Sequence, residues 1–169
     1  MKPFSYWAVV WAGLVILWGF AALLYASLPE HIPGHFGLGG AVTRWDPKST
    51  FWLLPLAASL VVLLTYFLLH LALKNRDFLN LPHKAIFEAL PLNKQEKVLQ
   101  HLDHRMAGLS FITLLLFGQL QYEVYRVAAG QAQKQGLGIW VLLLGLGLYV
   151  VWMLLDLGRA VQREAQRTR

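Results

Sequence analysis

Six His and nine Asp or Glu residues are the groups in this 169-residue chain that could ligate a metal or move a proton. With no Cys, thiolate nucleophiles, disulfides and Cys-based metal sites are excluded. Glu30, His31 and His35 form the nearest approach to a metal cluster. On a helix, the two His would share a face, as zinc hydrolases require, but Pro33 stands between them. The glutamate also precedes the pair instead of lying inside it, so the order is not H-E-x-x-H. We therefore expect no bound metal, with His31 and His35 the candidates if an ion is held. Otherwise their rings hydrogen-bond within a rigid loop packed by Phe36 and Trp45. His101 and His104, beside Lys97 and Asp103, could bind metal or sense pH, but read as a solvated helix face. His70 ends an apolar run four residues before Lys74. An ionisable side chain there is a functional-site hypothesis, against which stands a simple interfacial position. Gln119, Gln121 and Glu123 are the polar groups of another apolar stretch. No Ser-His-Asp set, phosphate loop or paired carboxylate site emerges, so the chain is expected to be no enzyme and to need no cofactor.

The elements that position these groups follow from solvent. Hydrophobic residues make up 57% of the chain and charged ones 14%, against roughly 25% charged in ordinary soluble proteins. No charge falls between Lys2 and Glu30, between Lys48 and Lys74, or between Lys134 and Asp156, and a shorter gap runs from Arg105 to Glu123. A helix needs about 20 apolar residues to cross the hydrocarbon core. The expectation is an all-α, four-helix transmembrane bundle forming one domain over residues 1–169, with spans near 5–28, 50–73, 104–127 and 137–157. The first run is longer than a signal-peptide core and lacks a clear cleavage site, so it reads as a retained anchor.

Between the spans, Pro82 opens a short helix with Ile86, Phe87 and Leu90 on one face, ended by Pro91, as in a helix lying in the headgroup plane. Asn93 to Glu96 then reads as a helix start. From there the third long helix enters the membrane unbroken near Arg105. Lys and Arg concentrate at both termini and between Lys74 and Arg105. Cytoplasmic segments carry that excess. Both termini and the 74–104 segment are accordingly expected inside a bacterial cytoplasmic (inner) membrane, and the 28–48 loop outside. On that topology Glu123 and Asp156 lie at opposite membrane ends. The net charge of +6 then reflects orientation and contact with lipid headgroups, not nucleic-acid binding.

The loop "LPEHIPGHFGLGGAVTRWDPK" resembles the signature of the bacterial membrane family labelled domain of unknown function 1648. Leu28, Pro29, Ile32, Pro33, His35, Phe36, Gly40 and Lys48 match in type and spacing, and Trp45 suits an aromatic near the end. Thr43 departs from the pattern, which usually has Asp; any partner of that Asp would need another acceptor, for which Asp46 is the candidate. "LNLPHKAIF" (Leu79 to Phe87) resembles the inner-loop motif of four-helix members. The resemblance implies kinship with the immunity proteins against sporulation-delaying peptide toxins, and so a role in toxin resistance or envelope sensing. On that basis the loop, with Pro29, Pro33, His35, Phe36, Gly40, Arg44 and Lys48, would meet an envelope peptide or protein, and membrane lipids are the other partners. A homo-oligomer stays open. The alternatives are a small solute or ion transporter or channel using His70, Gln119 and Gln121, and a metal-dependent membrane hydrolase using His31 and His35.

Overall fold

The computed structural model describes residues 6–167. The expected helix start at Ser5 and the terminal charges Lys2 and Arg169 lie outside the described residues. The first helix, α1 (Tyr6–Tyr25), leads through a turn into two strands, β1 (His31–Phe36) and β2 (Val42–Pro47). A 3-10 turn (Lys48–Trp52) enters α2 (Leu53–Lys74), and a second one (Arg76–Phe78) precedes the short α3 (Lys84–Glu88). Two long helices complete the chain, α4 (Leu92–Ala128) and α5 (Gly138–Gln166).

Three helical segments are long and apolar enough to cross a membrane: Tyr6–Tyr25, Lys48–Lys74 and Gly138–Gln166. Their exposed surfaces are those of a membrane protein. Val15, Ile16, Leu23, Phe67, Leu144 and Leu148 are all more than 60% exposed, a pattern that suits an apolar surrounding medium. The third span expected from the sequence falls within α4, which does not meet this measure. α4 is the central helix, packed on α1, α2 and α5. Its neighbours cover much of it, so it tolerates Ser110, Gln121 and Glu123 among its buried residues. It does run unbroken from the polar Lys74–Arg105 region through Arg105, as its helix-start signal and spacing indicate. Pro55 lies in the first turn of α2, where its missing N–H leaves no hydrogen bond unmade.

Two expectations need correction. The 28–48 loop is a β-hairpin, so the fold is not purely helical. β1 and β2 pair antiparallel, with His31 opposite Pro47, Ile32 opposite Asp46, Pro33 opposite Trp45, and irregularities on both sides of His35. Pro33 is compatible with such a strand because it needs no N–H where the ladder has an edge. The second correction concerns α3. Phe87 and Leu90 are buried, but Ile86 is 40% exposed, and Leu79 and Leu81 take its place in the core. The segment is thus anchored on the helices by residues flanking α3.

Candidate ligand-binding cap and the polar clusters behind it

The hairpin is held from below by apolar contact. Ile32 and Phe51 are almost fully buried with Ala21, Leu28 and Val124, and Phe36 packs against the same cluster. Full burial is worth about 1.5–3 kcal/mol for each large side chain. Pro33 is buried beside Ile32, whereas Pro29 is exposed in the turn leading into β1. The other face carries polar residues in fixed arrangements. His35 Nδ1 lies 2.6 Å from Thr43 Oγ1, which in turn donates to the His35 carbonyl at 3.3 Å. Thr43 thus links the His35 ring to the backbone carbonyl of the same residue. Arg44 grips Asp46 through Nε at 2.9 Å and Nη2 at 2.8 Å, and Nη2 also reaches the Gly34 carbonyl at 3.3 Å. A side chain at Gly34 would overlap the Asp46 carboxylate. Asp46 thus serves Arg44, while Thr43, at the discordant position, itself satisfies His35.

The cap is also tied to its surroundings. Lys48 N–H donates to the Glu30 carbonyl at 2.8 Å, closing the base of the hairpin, and Lys48 Nζ stands 4.6 Å from the Tyr25 ring centre at the end of α1. At the tip, Gly40 has a φ of +80° and its carbonyl accepts from Gln135 N–H at 2.8 Å. The tip is thereby fastened to the α4–α5 connection. His31 and His35 lie four positions apart on β1, roughly 13 Å in an extended strand, so they do not converge on one ion. Among the described residues, no group of three or more His, Cys, Asp or Glu could hold a metal. Trp45, expected to pack on the histidines, is 53% exposed.

Beneath the tip, Glu123 is 2% exposed. Its carboxylate accepts from Gln119 Nε2 at 2.9 Å, Arg126 Nη2 at 3.1 Å and Gly136 N–H at 2.9 Å. This charge belongs to a staple between the end of α4 and the next connection. Gln121 is fully buried and neither amide atom has a partner in the structure.

His70 lies at the opposite end of the molecule. Its Nδ1 donates to the Tyr66 carbonyl at 2.8 Å, and Nε2 is 4.0 Å from Asp103 Oδ1, which accepts from Trp7 Nε1 at 2.8 Å. Asp103 and Gln119 are sixteen positions apart on α4, about 24 Å, so His70 and the two glutamines do not meet. His101 is not on a free solvated face. Its Nε2 lies 2.6 Å from Asp156 Oδ2, and Asp156 also receives Arg105 and Arg163. His104 does lie exposed, its ring 4.3 Å from that of Tyr6. Glu123 and Asp156 have separate partners at opposite ends of the helices. The roles of Trp7, Asp103 and Gln135 escaped the sequence reading, in which Asp103 entered only as a neighbour of His101 and His104. The only signal for the first two was a Trp and an Asp, each next to the boundary of an apolar run.

Residues 12–58 match the family model described as "Domain of unknown function (DUF1648)". That segment contains most of α1, the hairpin and the start of α2, and the match supports the family resemblance there. Over 73 residues the chain is 32% identical to an uncharacterized protein of Archaeoglobus fulgidus, covering 41% of this chain and 40% of that protein. The chain therefore spans less than half the length of that curated relative. No solved structure matches it.

Proposed function

We propose that this is a non-enzymatic membrane protein of the immunity or envelope-sensing type, whose hairpin cap receives an envelope peptide or protein. In this reading four helices span a bacterial inner membrane, with α4 as the buried fourth span. Both termini and the α2–α4 segment are cytoplasmic, in keeping with their excess of Lys and Arg. The observation that carries the reading is the fastening of the hairpin to two separate parts of the helical assembly. Its apolar seat engages α1 and α4, and its tip engages the α4–α5 connection. A ligand that favours one placement of the cap would bias the helices to the extent of its differential affinity for the two states.

The exposed His35 and Arg44 are the groups assigned to the ligand. Replacing both, as His35→Ala with Arg44→Gln, should remove protection in a peptide-toxin or envelope-stress challenge while membrane insertion is unchanged. Full protection by this variant would refute the reading. Transport draws less support, because His70 of α2 stands beside Asp103, at the far end of α4 from Gln119. The hydrolase alternative draws least, since the strand separates His31 from His35.

A further inference from the structure

At the end of α4 and α5 remote from the hairpin, the facing sides of the two helices enclose a cleft of about 160 Å³. Lys97 and His101 of α4 line it, with Arg163 and Glu164 of α5 and Arg167 just past its end. At about 30 Å³ for each water, this volume has room for roughly five water-sized groups, enough for the four oxygens of a phosphate.

Charge at the cleft is unbalanced. Asp156, at its margin, pairs with Arg105 at 2.9 Å and Arg163 at 3.3 Å and also contacts His101. Arg167 pairs with Glu164 at 3.0 Å. Lys97 has no protein partner among the described residues. Four permanent cations, Lys97, Arg105, Arg163 and Arg167, thus face two carboxylates, Asp156 and Glu164. Arg163 commits Nη2 to Asp156 and Nε to the Arg159 carbonyl, which leaves its Nη1 donors available.

Depth identifies the anion. The apolar run of α5 ends at Leu155, one residue before Asp156. The contact with Asp156 draws the Arg163 guanidinium back toward that level. Lipid phosphates occupy the polar layer immediately outside the hydrocarbon core. Basic pockets between membrane helices suit such headgroups.

We propose that the α4–α5 cleft binds the phosphate group of an anionic phospholipid, with Lys97, Arg163 and Arg167 as its donors. The site is separate from the cap and does not depend on the function assigned to it. Native mass spectrometry of the detergent-solubilised full chain, titrated with phosphatidylglycerol or phosphatidylcholine, tests the assignment. The expected result is one retained phosphatidylglycerol at an affinity at least tenfold above phosphatidylcholine. Lys97→Gln breaks no contact within the protein and should weaken phosphatidylglycerol binding about fivefold, the worth of one cation near a membrane surface. Lys97→Gln with Arg167→Gln should weaken it at least tenfold, whereas Lys74→Gln with Lys134→Gln should leave it within twofold. Equal affinity for the two lipids, or unchanged binding by Lys97→Gln, would overturn the site. Displacement of the lipid by equimolar inorganic phosphate would overturn the assignment to a lipid.

Discussion

Replacing Gly40 by Ala should unfasten the hairpin tip while leaving its base folded. At φ +80° an L-residue encounters its own carbonyl, at a cost of roughly 1–2 kcal/mol. The new Cβ would also stand 2.9 Å from the Gln135 carbonyl oxygen, a backbone atom that cannot rotate aside. Relieving that contact sacrifices the hydrogen bond from Gln135 N–H to Gly40, worth about 0.5–1.5 kcal/mol. Together these effects lower the local opening free energy by about 2–3 kcal/mol. The Gln135 amide should then exchange with solvent roughly 30- to 150-fold faster. Hydrogen exchange on the detergent-solubilised protein, read at Gln135 and in β1, measures this directly. Gly39→Ala is the internal control, since its Cβ would meet nothing within 4 Å. Unchanged exchange at Gln135 in Gly40→Ala, or an equal acceleration in Gly39→Ala, would refute the reasoning.

Three further perturbations have defined signs. Gln121→Leu removes a buried amide whose two polar atoms have no partner, so thermal stability should rise by about 1–3 kcal/mol; a lower melting temperature would contradict this. Glu123→Gln keeps an acceptor but removes the charge opposite Arg126, costing about 1–3 kcal/mol, with faster amide exchange at Gly136 as the local readout. Trp7→Phe deletes the donor to Asp103 and should cost about 1 kcal/mol in the same melt. Trp7→Phe together with Asp103→Asn should cost less than the two single changes added, because they share one bond.

What the sequence revealed depended on distance along the chain. The continuous helix through Arg105 and the placement of Pro55 rest on local rules of spacing and proline geometry, and both were legible. The hairpin was not, because Pro33, Gly34, Gly37, Gly39 and Gly40 all depress strand propensity. Its pairing is stabilised instead by Ile32 resting near Phe51 and Val124. The histidines show the same division. Pro33 argued correctly against a shared helix face for His31 and His35. The contact of His101 with Asp156, 55 positions away, left no local trace beyond a carboxylate at the end of an apolar run. The bond between Gly40 and Gln135 uses backbone atoms alone, so side-chain type carries little of its signature.

That bond also orders events during synthesis. Gly40 emerges from the ribosome nearly a hundred residues before Gln135, an interval of roughly 5–20 s at ordinary elongation rates. Throughout it the hairpin can pair and settle on α1, yet its tip has nothing to hold. Closure waits until α4 and the stretch beyond it have been made. A chain stalled or cleaved before Gln135 would therefore carry a hairpin without the latch at its tip.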